Sequence, residues 1–391
     1  MKFAFLIFKY FPYGGMQRDM LRTANRLATA GHSVDIFTMS WESEMPERNL
    51  PEGNINVHVM PGKGWFNFQK YQDFIRQAHA RLAREFQFDL VVGYNRMGGL
   101  DVYFAADACF VERAYRQRNW LYRLMPRYRW FREMEEVVFS PQSRTQMLMV
   151  DMKEKAVFQR WYHTQDERFH YIPPYLPAER LQLHDRKEMQ AYLRNAFNLP
   201  QETNIALLVG SGFYVKGLDR AVHALASLSA DMRRNFKLIA IGQDKPDPFI
   251  KMARKLGLSE HLIISRGRPD IPQLMQGADF YLHPAYRENT GLVILEAMAS
   301  GLPVLATASC GYAVHVQEAD AGRVVPVPFE QAVLNRELQD ILAKVRTRDA
   351  QLEAWRSNGL QHARKLMQEN DGGAEAEIML RIVAEKQRGA A

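Results

Sequence analysis

Apolar runs of five to seven residues alternate with longer amphipathic stretches along the whole chain. Runs this short, each followed by a helix-like stretch, predict strands buried on both faces and joined by crossover helices, as in parallel sheets. In the first half the strands fall at residues 3–8, 33–39, 89–94, 101–107 and 145–150. A helix over 16–30 ends at Gly31, a suitable C-terminal cap, and another lies near 151–162. Pro173, Pro174 and Pro177 then break the pattern and mark a linker. The alternation restarts with strands near 205–209, 236–241, 261–265, 279–283 and 303–305, separated by helices near 217–228, 247–256 and 291–300. At 391 residues the chain is long enough for two cores. The expected fold is therefore α/β, with two Rossmann-like, doubly wound domains over residues 1–172 and 173–370 facing a central cleft. The charged helical segment 371–391 is expected to pack back on the first domain.

Doubly wound sheets bind ligands outside the carboxyl ends of their strands, so the loops that follow strands carry the chemistry. Gly14 and Gly15 follow the first strand, where a missing Cβ lets backbone approach a diphosphate or sugar, or simply makes a tight turn. The stretch 95–107 offers Asp101 at a loop–strand junction and Asp107 beyond it; either is a candidate for the cleft or an ordinary turn residue. Gly210-Ser211-Gly212 leads through Lys216 to Gly217 at the mouth of a helix, where the lysine can neutralise a phosphate. The segment 286–297 sets Glu288 in a loop and Glu296 on the following helix, with Thr290 as the expected cap between them. Free N–H groups at such a helix start favour phosphate oxygens, and the two carboxylates can accept hydrogen bonds from sugar hydroxyls. Capping charges on an ordinary helix explain the same pair.

Several function classes drop out. The glycine spacing after the first strand is not the dinucleotide fingerprint, and Lys216 is not followed by Ser or Thr as in a nucleotide-hydrolysing P-loop. Cys109 and Cys310 lie far apart and offer neither a disulfide framework nor a metal-ligand spacing, so a reducing cytoplasm and catalysis without a bound metal are expected. The early apolar run is too short for a secretory signal, and no run reaches the length that spans a bilayer. A net charge of +7 predicts attraction to a polyanion. Between Arg113 and Arg132 lie seven arginines, six aromatic residues and no acid. That mixture suits an anionic membrane surface, with nucleic acid as the rival polyanion and a solvated basic helix as the plain alternative.

The chain resembles the family 4 glycosyltransferases of the GT-B fold, whose second domain carries two glutamates spaced as Glu288 and Glu296 are here. Within that family it is similar to enzymes of lipopolysaccharide core assembly. The matching strings include Lys9-Tyr10-Phe11-Pro12-Tyr13-Gly14-Gly15, Gly99-Leu100-Asp101-Val102-Tyr103-Phe104-Ala105-Ala106-Asp107, Gly242-Gln243-Asp244-Lys245-Pro246 and His283-Pro284-Ala285-Tyr286. The resemblance implies a retaining hexosyltransferase with an acceptor-binding first domain and a nucleotide-sugar-binding second domain. It implies glucose from UDP-glucose moving to the inner-core heptose of a lipid-linked oligosaccharide at the inner face of the cytoplasmic membrane. Another donor, such as UDP-galactose or a UDP-N-acetylhexosamine, or another acceptor is the nearest alternative. A non-catalytic nucleic-acid-binding protein is a remote one. By the same resemblance Gly14 and Gly15 approach the donor, and Lys216 and Arg180 contact phosphate. Glu288, Asn289, Thr290, Gly291 and Leu292 hold the transferred sugar, Glu296 binds the ribose, Ile241 and Arg268 border the uridine, and Asp101 is the catalytic aspartate. Val215 stands where close relatives have a second basic residue before the glycine, and Tyr175 where the linker usually has glycine.

Overall fold

The computed structural model describes residues 1–12, 14–42, 54–85 and 87–390. These form two compact units, one of Met1–Pro173 with Asn370–Ala391 and one of Pro174–Glu369.

The first unit is built on an all-parallel sheet in the order β3-β2-β1-β4-β5-β6-β7. In chain order its strands are β1 (Lys2–Ile7), β2 (Ser33–Thr38), β3 (Ile55–Val59), β4 (Leu90–Gly93), β5 (Val102–Ala105), β6 (Gln146–Met149) and β7 (Phe169–Tyr171). β1 shows why the interior strands read as unbroken apolar runs. Phe3, Phe5 and Ile7 point into one layer with Met20 and Leu27, while Ala4 and Leu6 point into the other with Phe74 and Ala78. Both faces are covered, so alternation by two moves residues between two cores rather than between core and water. The C-terminal helix Ala374–Ala390 belongs to this unit, with Met379 and Val383 buried beside β1 and Glu375 paired with Arg22.

The second unit repeats the plan as β10-β9-β8-β11-β12-β13, again parallel. Its strands are β8 (Asn204–Val209), β9 (Phe236–Ile241), β10 (Leu262–Ser265), β11 (Phe280–His283), β12 (Val304–Thr307) and β13 (Gly322–Val325). Ile205 and Leu207 enter one core layer, and Ala206 and Leu208 the other. The sequence reading did not anticipate β3, β7 and β13, and all three lie at sheet edges.

Candidate active site

Glu288 sits at the centre of a charged knot in the second unit. β11 ends at the fully buried His283, and the chain then turns through Pro284 toward Glu288. One carboxylate oxygen of Glu288 takes a hydrogen bond from Lys216 Nζ, and the other meets His283 Nε2. His283 Nδ1 lies 3.1 Å from Tyr281 Oη, whose hydroxyl donates to the Val209 carbonyl at 3.1 Å. Because the tyrosine spends its proton on Val209, its lone pair faces the imidazole, and both ring nitrogens can carry hydrogen. Burial drives the His283 pKa down, but the neighbouring Glu288 charge outweighs it and holds the imidazole at about 9. Burial likewise raises Glu288, and the His283 and Lys216 charges reverse this to leave it at about 2. The backbone is held as firmly, since Glu288 N–H donates to Ser309 O at 3.1 Å and Gly311 N–H to Glu288 O at 3.0 Å.

Lys216 reaches this knot because its loop closes onto the strand end. A Cβ on Gly217, where φ is +77°, would sit 2.0 Å from the Pro284 carbonyl, so only glycine permits the approach. The expected cap at Thr290 is not made. Gly291 takes a left-handed conformation at the N-cap of helix Leu292–Ala299 with no side-chain cap, which moves the helix start past Thr290. Thr290 instead uses its carbonyl to accept from Tyr312 N–H at 2.6 Å. The result is a helix amino end whose N-cap, Gly291, has no side chain to cap it.

Arg180 and Glu296 meet each other, with Nε 3.8 Å from Oε1. Arg180 Nη1 is shielded from solvent and has no hydrogen-bond partner among the described residues, a costly state for a guanidinium nitrogen and one that an anionic ligand would relieve. Ile241 and Arg268 lie at or just past the carboxyl ends of neighbouring β9 and β10. The Ile241 carbonyl accepts from Gly210 N–H at 2.9 Å, and Arg268 holds Asp270 in a two-point pair at 2.8 and 2.7 Å.

In the first unit Gly14 and Gly15 stand at the start of helix Gly15–Thr29, after β1. A Cβ on Gly14 would strike Gln17, whereas one on Gly15 would meet nothing within 4 Å, so open space adjoins this helix end. Asp101, the expected catalytic aspartate, is held in a structural setting. It lies at the amino end of β5, accepts from Val91 N–H at 2.8 Å and pairs with Lys386 at 2.8 Å. Parallel sheets bind ligands beyond the carboxyl ends of their strands, and at that end Asp107 is exposed just after β5. A buried network missed by sequence reading supports that position. Arg96 pairs with Glu135 at 2.6 Å and donates to the carbonyls of Asp107 and Ala108, both at 2.7 Å. Titratable residues at strand ends, His283 among them, are the one sequence signal that could have flagged part of these networks.

The basic-aromatic stretch 113–132 divides. Tyr128 and Trp130 are core residues, while Trp120 is 63% exposed together with Tyr115, Leu121, Leu124 and Met125. Arg116 and Arg132 face glutamates on their own helices, but Arg118, Arg123, Arg127 and Arg129 have no ion pair among the described residues. Among those residues no helix is long and apolar enough to cross a membrane. Two groups of possible metal ligands do assemble, His283 with Glu288 and Cys310, and His315 with Glu318 and His362. Sequence spacing hid them because each draws on segments far apart in the chain.

Residues 13–180 match the family described as Glycosyltransferase Family 4, and residues 190–359 the family described as Glycosyl transferases group 1. The lipopolysaccharide glucosyltransferase WaaG of Escherichia coli K12 is 39% identical over 361 residues, which is 92% of this chain and 93% of that enzyme. The crystal structure of WaaG superimposes with a TM-score of 0.88 at 38% identity, covering 96% of this chain and 99% of that one. HepE of Anabaena, solved in complex with UDP-glucose, shares the fold at a TM-score of 0.73 and 16% identity, covering 98% of this chain and all of its own. The chain belongs to the family 4 glycosyltransferases and is a hexosyltransferase of the GT-B fold.

Proposed function

We propose that the chain moves glucose, with retention of configuration, from UDP-glucose to the inner-core heptose of a lipid-linked lipopolysaccharide precursor. The observation that carries the reading is the knot of Lys216, Glu288 and His283 before the helix that starts after Gly291. As UDP departs, negative charge gathers on the β-phosphate while the sugar becomes oxocarbenium-like. Lys216 swings from Glu288 to the phosphate, Arg180 supplies its unpartnered Nη1, and amides from Gly291 onward face the same charge. Each such preorganised donor is worth about 3 kcal/mol at the barrier, roughly a hundredfold in rate. Glu288, still fixed by His283, turns an oxygen to the sugar hydroxyls. Glu296 takes the ribose hydroxyls, and Ile241 and Arg268 border the uridine. In this reading no metal ion enters the reaction. The glucosyl assignment draws on the name of the E. coli relative. Calorimetry with UDP-glucose, UDP-galactose and UDP-N-acetylglucosamine tests it: UDP-glucose should bind tightest, and tighter binding of either rival would overturn the donor while leaving hexosyl transfer in place.

Asp107, held by Arg96, is the acidic group proposed to act on the acceptor side. Asp107→Asn should slow transfer by about a hundredfold at unchanged donor affinity, as expected for a lost proton acceptor or charge partner. Asp101→Asn should stay within a few-fold of wild type. Steady-state rates that rank the two the other way would return the role to Asp101.

The unpaired arginines and exposed aromatic and aliphatic side chains of 113–132 are proposed to hold the enzyme to an anionic lipid surface, at the cytoplasmic face where the precursor is built. Each arginine near such a surface is worth about 1 kcal/mol, and the exposed Trp120 fits the headgroup layer. Changing Arg118, Arg127 and Arg129 together to glutamate should cut sedimentation with phosphatidylglycerol-containing vesicles at least about tenfold. Equal sedimentation by the triple variant, or a preference of the wild type for nucleic acid over vesicles, would remove the membrane role.

A further inference from the structure

Away from the donor loops, in the same unit, two histidines and a glutamate converge. Helix Ala313–Glu318 carries His315 and Glu318 one turn apart, and helix Ala350–Glu369 carries His362. His315 Nδ1 lies 3.1 Å from His362 Nε2 and 3.4 Å from Glu318 Oε2, and the three ligand atoms all fall within 4.8 Å of one another. Around a tetrahedral ion with bonds near 2.1 Å, neighbouring ligand atoms stand about 3.4 Å apart. Two of the spans here already match that spacing. A ring-to-ring hydrogen bond explains the 3.1 Å contact alone, but the same Nδ1 is also offered to a carboxylate. A single hydrogen on that nitrogen would be shared between two acceptors, whereas an ion between the three groups takes a lone pair from each.

We propose that His315, Glu318 and His362 bind a divalent transition-metal ion of the zinc type, with water in the fourth position. Two imidazoles and one carboxylate suit zinc, cobalt or nickel better than magnesium or calcium, which prefer all-oxygen shells. His315 is buried, His362 half-buried and Glu318 exposed, so the ion reaches the site from solvent and keeps a solvent ligand.

The ion would pin one helix to another at a telling place. Helix Ala313–Glu318 grows out of the loop that straps the backbone of Glu288 and Thr290, through Gly311 N–H to Glu288 O at 3.0 Å and Tyr312 N–H to Thr290 O at 2.6 Å. His315 N–H in turn donates to Tyr312 O at 3.1 Å, and the two rings pack edge to face with centroids 5.4 Å apart. A clamp at His315 therefore steadies the loop behind Glu288, whichever nucleotide sugar the enzyme uses.

The test is metal binding by the full-length chain after EDTA treatment, with Zn²⁺ followed by calorimetry and Co²⁺ by visible absorption. The wild type should take one ion with visible cobalt bands and no thiolate charge-transfer band, and its thermal midpoint should rise with added Zn²⁺. His362→Gln, at a half-buried position that tolerates the change, should bind at least about tenfold more weakly and lose the thermal shift. Cys310→Ser should bind as wild type does. Absence of binding by the wild type, or undiminished binding by His362→Gln, overturns the proposal. So does loss of binding in Cys310→Ser, which would place the ion at the buried group of His283, Glu288 and Cys310.

Discussion

Replacing Glu288 with glutamine should leave the protein folded and slow hexosyl transfer by roughly a hundredfold or more. Glutamine keeps the size and one carbonyl oxygen of the side chain, so the loop strapped by Ser309 and Gly311 has no reason to move. What disappears is the charge that both Lys216 and His283 face. His283 then loses the charge that chiefly offsets its burial, and its pKa falls. The sugar loses a charged acceptor, and the positive field of the site changes shape around the leaving phosphate. Lys216, freed from its pair, remains available to the diphosphate, so donor binding should suffer less than turnover. Single-turnover rates and calorimetric donor affinity, measured beside a circular dichroism melt, separate these effects. Near wild-type turnover by folded Glu288→Gln would sink the site assignment.

The same substitution should change how stability depends on pH. His283 has a folded pKa of about 9, above its ordinary 6.5, so its contribution is fully present below 6.5 and lost as pH rises through 9. Glu288 has a folded pKa of about 2, below its ordinary 4.5, so its contribution is present above 4.5 and lost as pH falls through 2. Wild-type protein should therefore lose thermal midpoint between pH 7 and 10 through this pair, and Glu288→Gln should be flatter over that limb.

Interior strands were legible because burial on both faces demands an unbroken apolar run, as in Phe3–Ile7 and Ile205–Leu208. Edge strands need less. β3 reads Ile-Asn-Val-His-Val with only Ile55 buried, and β13 opens on a glycine, so neither stood out from loop sequence. Lys216 and Glu288 could be picked out because each follows a strand end near a helix start, and the fold pairs their side chains. Treating 101–107 as one strand hid which aspartate stood at which end of β5. The ionic state of His283 depends on burial and on Glu288 and Cys310 being folded against it, which no local pattern encodes. The cap moved from Thr290 to Gly291 because a positive φ there is available to glycine and opens the helix one residue later.

Glu135→Ala should destabilise the first unit by about 3–5 kcal/mol, the range for breaking a buried ion pair from one side. Glu135 lies on helix Pro126–Phe139 and has no solvent exposure. Its oxygens accept from Phe110 N–H at 2.7 Å, Val111 N–H at 3.0 Å, Tyr162 Oη at 2.7 Å and Cys109 Sγ at 3.5 Å, and they pair with Arg96 at 2.6 Å. The Cys109 thiol remains a donor because burial and the Glu135 charge push its pKa up to about 12. Alanine would leave a buried guanidinium whose Nε already has no partner, together with two orphaned amides at the start of helix Phe110–Gln117. Glutamine keeps an acceptor but not the charge, so Glu135→Gln should cost less than Glu135→Ala. Because Arg96 also holds the carbonyls of Asp107 and Ala108, the damage should reach the exposed aspartate and lower transfer without touching donor affinity in the second unit. Urea unfolding gives the stability loss, and hydrogen exchange at Phe110 and Val111 reports whether their amides have lost protection. If both amides stay protected in a Glu135→Ala protein with an unchanged urea midpoint, the buried network does not hold this loop, and the placement of Asp107 must come from β5 alone.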